Sequence, residues 1–187
     1  RVRPPQDTDH PWSEDCLLLD LWAPWPPAES HLRPIVACFV GDGFVRGASS
    51  DVSGLTYARD HSLVFASVQY RLGALGWLHP RGGHANCGLW DMIESLRWLR
   101  RNACAFGGDA ANVTVMGHGA AADALVWLCG ASAAAGLFDR VVLMSPGTLA
   151  VSSVAQAEEL ADDFARQMRG GGSEASSAGL RAATPEE

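Results

Sequence analysis

The stretch Gly117-His118-Gly119-Ala120-Ala121 has the frame of a nucleophile elbow with its central residue replaced. In the pattern G-x-S-x-G, a strained turn between a strand and a helix lifts a serine oxygen above the sheet. The flanks fit that context, with Val113-Thr114-Val115-Met116 a strand-like run and Ala120 to Leu128 a helix-like one. Gly119, at the centre, has no side chain with which to attack. His118 adjoins it, but its side chain follows the strand direction and not that of a nucleophile. Ser145 ends the next strand, and His10, His31, His61, His79 and His84 are scattered over loops without i, i+4 pairing. The catalytic set is therefore predicted to be empty.

An elbow needs a sheet beneath it. Residues 17–22 read as a strand stopped by Pro24 and the Pro26-Pro27 pair, and residues 35–40 as an apolar strand stopped by Gly41-Asp42-Gly43. A third apolar run spans Leu63 to Val68, a fourth strand Asn112 to Met116, and a fifth Arg140 to Ser145 before Pro146-Gly147. Gly88 to Arg101 is helical by spacing, with Leu89, Ile93, Leu96 and Arg100 on one face and Trp98 beside it. Ala155 to Met168 is an amphipathic helix whose stripe is Ala157, Leu160, Ala161, Phe164 and Met168. Continuous apolar strands imply a sheet covered on both faces, and strands alternating with helices imply parallel crossovers. The predicted class is α/β.

Composition narrows the partners. The 187 residues are 48% hydrophobic with net charge −7, enough for a sizeable core and wrong in sign for non-specific nucleic-acid binding. All fourteen basic residues are arginine, and nothing in the sequence explains it. The five cysteines (Cys16, Cys38, Cys87, Cys104, Cys129) form no C-x-x-C pair, so neither a metal nor a cofactor is expected. Cys38 and Cys129 lie in apolar runs and read as buried thiols. No run approaches the ~18 apolar residues of a membrane span, and Arg1-Val2-Arg3-Pro4-Pro5 does not open a signal peptide. Asn112-Val113-Thr114 matches an N-glycosylation site, but it starts a strand expected to be buried.

With the elements placed, the motifs resemble those of the type-B carboxylesterase/cholinesterase family of α/β-hydrolases. Ser13-Glu14-Asp15-Cys16-Leu17 is similar to its S-E-D-C-L, and Tyr70-Arg71-Leu72-Gly73-Ala74-Leu75-Gly76-Trp77 to Y-R-L-G-x-x-G-F. Asn86-Cys87-Gly88-Leu89-Trp90-Asp91 is similar to N-x-G-L-x-D, Ala105-Phe106-Gly107-Gly108-Asp109 to A-F-G-G-D, and Gly136-Leu137-Phe138-Asp139-Arg140 to G-L-F-x-R. The resemblance implies a partial α/β-hydrolase fold, a mostly parallel sheet flanked by helices and lacking the C-terminal strands. Residues 1–187 are then expected to be an interior fragment of one domain. Its motif-bearing core is 13–148, its amphipathic helix 155–168 and its flexible tail 170–187.

The same resemblance assigns residues. The family's H-G-G-G-F loop lends backbone N–H groups to an oxyanion hole, and here it reads Val40-Gly41-Asp42-Gly43-Phe44. The oxyanion region (Asp42, Gly43, Ala120) is expected to be degraded. Asp42 either sets a carboxylate close to where charge develops or supports an ordinary surface turn. Arg71 and Asp91 are expected to pair, and Cys16 is expected to lack the upstream cysteine that the family pairs with it. Cholinesterases close the loop after the 155–168 helix with a disulfide, but residues 170–178 and Gly179-Leu180-Arg181 contain no cysteine, so that loop is expected to be mobile. The Gly-His-Gly elbow is most similar to neuroligin-like adhesion proteins. That similarity implies a chain that is not an enzyme and that matches a buffer blank in an ester assay. It also implies an extracellular protein-binding role with a neurexin-like partner, and a membrane link only through a segment outside this chain. The alternative is a diverged carboxylesterase acting on carboxylic esters.

Overall fold

The computed structural model describes residues 15–25, 31–147 and 151–168. Five strands form one sheet in the order β1-β3-β2-β4-β5: β1 Leu19–Trp22, β2 Arg33–Phe39, β3 Val64–Val68, β4 Gly108–His118 and β5 Arg140–Met144. Only β1 is antiparallel, against β3; the other three pairings are parallel. The helices are α1 Leu55–His61, α2 Gly73–Trp77, α3 Cys87–Asn102, α4 Ala120–Gly130 and α5 Val154–Met168. This is the mostly parallel, helix-flanked α/β sheet that the motifs implied. The expected mobile segment 170–178 and the tail 170–187 lie outside the described residues.

The parallel register builds the core in rungs. Val64, Ile35 and Val113 lie abreast, then Ala66, Ala37 and Val115, then Val68, Phe39 and Gly117. Apart from Gly117, which has none, all contribute buried side chains, and α3 and α4 cover them with Met92, Ile93, Leu96, Leu99, Ala121, Leu125 and Leu128. The buried stripe of α3 also takes in Asp91 and leaves Arg100 half-buried, so it is turned slightly from the expected face. Phe65 points to the other side of β3, where Tyr57 of α1 stacks on it at 4.7 Å and Trp22 meets it edge-on at 6.1 Å. With both faces covered, β3 is buried at all five positions, the condition that a continuous apolar run signals.

Two expectations about burial are corrected. Cys129 is exposed, because it sits on the solvent side of α4 while Ala121, Ala124, Leu125 and Leu128 occupy the buried side. Helix α5 buries Ala161 and Ala165, while Leu160 and Met168 stay in solvent. Its docking is polar as well as apolar: Arg81 sits 3.1 Å from Glu158 and 2.8 Å from Asp162, one turn apart on the helix. A face that meets an arginine through two carboxylates need not present leucine.

Arg71, after β3, and Asp91, on α3, form a bidentate pair, with Nε to Oδ2 at 2.7 Å and Nη2 to Oδ1 at 2.6 Å. The Arg71 backbone N–H donates to the same carboxylate at 3.1 Å. Asp91 is 6% exposed and Arg71 36%. Asp91→Ala removes three hydrogen bonds and strands a half-buried guanidinium. Urea denaturation is expected to show a loss of about 2–3 kcal/mol, under the range for fully buried pairs because Arg71 still reaches water.

Cys38, on β2, supplies a pH signature. Burial pushes its thiol up to about 11 from an ordinary 9.0. An unfolded chain loses this proton near pH 9 and the folded one only near 11. The thiol's contribution is therefore complete below pH 9 and lost as pH rises through about 11. At pH 8 a maleimide is expected to label exposed Cys104 and Cys129 and to reach Cys38 only after unfolding.

Candidate active site

The strand order reverses direction at the centre of the sheet. From β2 the chain crosses to β3 on one side; from β4 it crosses to β5 on the other. Ligands of open α/β sheets bind in the crevice at the carboxyl ends of such strands. Two residues past the last paired rung (Val68, Phe39, Gly117), the chain reaches Tyr70, Gly41 and Gly119. The loop 40–47 and the elbow are thus neighbours at this crevice.

Gly119 has φ 57° and ψ −124°. That conformation is open to glycine and costly for other residues, as an elbow requires. A Cβ at position 119 would meet nothing within 4 Å, so the space above the turn is open. Three bonds hold the turn from below. The Gly119 N–H donates to the Met144 carbonyl at 2.9 Å, the Asp123 N–H returns to the Gly119 carbonyl at 3.1 Å, and the Asp123 carboxylate accepts the Gly147 N–H at 2.8 Å. Asp123 is a positioning residue that the sequence reading missed; its place in the first turn of the elbow helix is the signal that marks it. Ala121, where the elbow pattern has glycine, is fully buried against the core.

Asp42 takes the surface-turn arrangement. Its N–H donates to the Arg46 carbonyl at 2.7 Å, and its carboxylate lies 2.7 Å from Arg46 Nη2 and 2.8 Å from Nε. Gly43 and Phe44, at φ 58° and 61°, turn the chain between them. Arg46 was missed by sequence reasoning, although an opposite charge four residues past an Asp-Gly turn is its signature. Among the described residues the N–H groups of Gly43 and Ala120 donate to no backbone or side-chain acceptor, and Ala120 opens a helix, whose first N–H groups have no intrahelical partner. Both N–H groups are left free at the carboxyl edge of the sheet.

His118 ends β4, exposed and opposite Met144, with no hydrogen bond to the elbow. Ser145 is exposed at φ 48° beyond β5. Asn112 lies within β4, half-buried, and its side-chain oxygen accepts from Arg140 at 2.6 Å, which favours the structural reading of the glycosylation pattern. Cys16 is half-buried and free, with its thiol raised mainly by burial.

Below the crevice, Tyr70 is fully buried and edge-on to Phe39 at 6.2 Å and Trp77 at 6.3 Å. Its hydroxyl has no partner among the described residues, and a Cβ at Gly41 would come within 2.3 Å of it. Gly41→Ala is therefore expected to destabilise the fold by about 1–3 kcal/mol. Tyr70→Phe in the same chain should recover part of that loss, because it removes the clashing oxygen. Additive losses in a denaturation cycle would show that the two residues do not touch.

The sequence profile of the Carboxylesterase family matches residues 2–181. Phenmedipham hydrolase of Pseudarthrobacter oxydans is 39% identical over 140 residues, covering 74% of this chain and 28% of that protein. Carboxylesterase 3 of Homo sapiens is 36% identical over 135 residues (71% and 24%), and carboxylesterase 4A of Bos taurus 38% over 136 (72% and 25%). The chain thus spans about a quarter of the length of the curated relatives it matches. All three carry hydrolase or esterase names, which corrects the expectation of a non-enzyme. That expectation weighed the glycine at the elbow and Asp42 in the oxyanion loop against a segment that matches hydrolases over 71–74% of its length. On this match and on the fold that carries it, the chain belongs to the carboxylesterase family.

Proposed function

We propose that this chain is the elbow-bearing part of a diverged carboxylesterase-type hydrolase that acts on carboxylic esters. The backbone of Gly119 carries the reading: a strained turn at the switch point, held by three hydrogen bonds, with open space above it. An ester seated there meets the N–H groups of Ala120 and Gly43. Because Gly119 has no nucleophile, the attacking oxygen in this reading is water's. Oxyanion donors and binding alone still accelerate acyl transfer about 10³-fold over water in a hydrolase that has lost a triad member. The hydrolase names of the relatives support the reading.

The chain is expected to release p-nitrophenol from p-nitrophenyl acetate at a saturable rate above buffer, and a phosphonate anion should compete. A rate equal to buffer, together with no competition, would defeat the proposal. Gly119→Ser places a hydroxyl in the open space, and organophosphate labelling at position 119 is expected in that variant alone.

The glycine at the elbow favours a second reading, in which the parent protein binds a neurexin-like partner at the cell exterior, as its resemblance to neuroligin-like adhesion proteins implies. Surface plasmon resonance against a neurexin ectodomain tests it, and absence of binding by the full chain would count against it. No described helix is long and apolar enough to cross a membrane.

A further inference from the structure

In the loop at the crevice rim, the Asp42 N–H is spent at 2.7 Å on the Arg46 carbonyl, whereas the Gly43 N–H beside it has no acceptor among the described residues. The side chains repeat that link, with Arg46 2.7 Å from the Asp42 carboxylate. Both side chains are more than half exposed, so the ion pair and the backbone bridge between the two residues, and not core packing, tie them. Two observations oppose the hairpin they close. Phe44 stands at φ 61°, a left-handed conformation that L side chains disfavour. Beneath the same loop the Tyr70 hydroxyl is buried against Gly41 with no partner among the described residues, a state that native structures rarely leave unexplained. Phe44 is held in that strained conformation by its ring on Trp77 at 4.3 Å and by the Gly73 N–H on its carbonyl at 2.7 Å, while the ion pair closes the hairpin on the solvent side.

We propose that Arg46 is an autoinhibitory latch on this loop: paired with Asp42 it closes the hairpin that consumes the Asp42 N–H, and its release turns that donor toward the oxygen of an ester bound over Gly119. The inference rests on the ester-binding reading of the crevice. It adds that the site is regulated by an exposed ion pair on its own rim. Arg46 acts through the loop and touches no reacting atom, so it is a positioning residue.

The test uses the full chain, labelled with ¹⁵N, and methyl methylphosphonate as an anionic mimic of the tetrahedral state. Arg46→Ala is expected to speed amide exchange at Asp42 and to tighten phosphonate binding roughly tenfold, the scale of one hydrogen bond to a charged group. The sign is diagnostic, since removing a cation would by itself weaken binding of an anion. Arg46→Lys should restore wild-type values, and Arg59→Ala, which removes an exposed arginine elsewhere, should change neither. If Arg46→Ala folds poorly, Asp42→Asn opens the same latch, and its exchange rate at position 42 should rise likewise. Unchanged exchange at Asp42, or faster exchange with equal or weaker affinity, overturns the latch, as does absence of phosphonate binding in every chain. The hydrolase reading is decided separately, by ester turnover in the chain with Arg46 intact.

Discussion

The parallel register of β2 between β3 and β4 is the constraint on which the rest depends. Pairing Phe39 with both Val68 and Gly117 brings Tyr70, Gly41 and Gly119 to one level at the carboxyl edge of the sheet. A shift of one residue in either pairing would turn the buried side chains of a strand to its other face. Val64, Ile35 and Val113 and their neighbours are buried together, so the core resists any such slip. Core packing therefore fixes the geometry of the crevice, although no crevice residue is itself a large core side chain except Tyr70.

The ion pair of Arg71 and Asp91 extends that control to α3. Arg71 follows Tyr70 directly, so the pair holds the chain at the point where it leaves the crevice floor. A guanidinium that binds both oxygens of a carboxylate sets orientation as well as distance. The aromatic cluster of Phe39, Tyr70, Trp77 and Phe44 lies between this anchor and the loop, with Phe44 and Trp77 centred 4.3 Å apart. A change at α3 thus has a packed route to the loop that carries Asp42 and Gly43.

What was legible in the sequence follows the reach of the interactions. Strands such as Val64–Val68 announce themselves, because burial on both faces demands an unbroken apolar run. The elbow was legible because its turn is local, needing only Gly117 to Ala121 and the flanking periodicities. The face of α5 was not: the contacts of Arg81 with Glu158 and Asp162 join residues 77 and 81 positions apart, and no period of 3.6 encodes that. Cys129 was misplaced because α4 is apolar nearly all round, so hydropathy alone does not choose its buried side. Asp42 remained open between two readings because the choice depends on Arg46, whose side chain decides between a free anion and a neutralised turn.

The glycine at the elbow is held by bonds that lie beneath the turn. Gly119 is fixed through its own N–H to Met144, through its carbonyl to Asp123, and through the Asp123 carboxylate to Gly147. None of these bonds involves a side chain at 119. The turn is imposed by the β4–β5 pairing and the start of α4, and glycine meets its positive φ with the least strain. Backbone geometry and side chain are thus separable at this elbow: the scaffold fixes the turn whatever residue occupies it. The family match is compatible with a glycine at the elbow, because the fold holds this turn through backbone hydrogen bonds and one carboxylate.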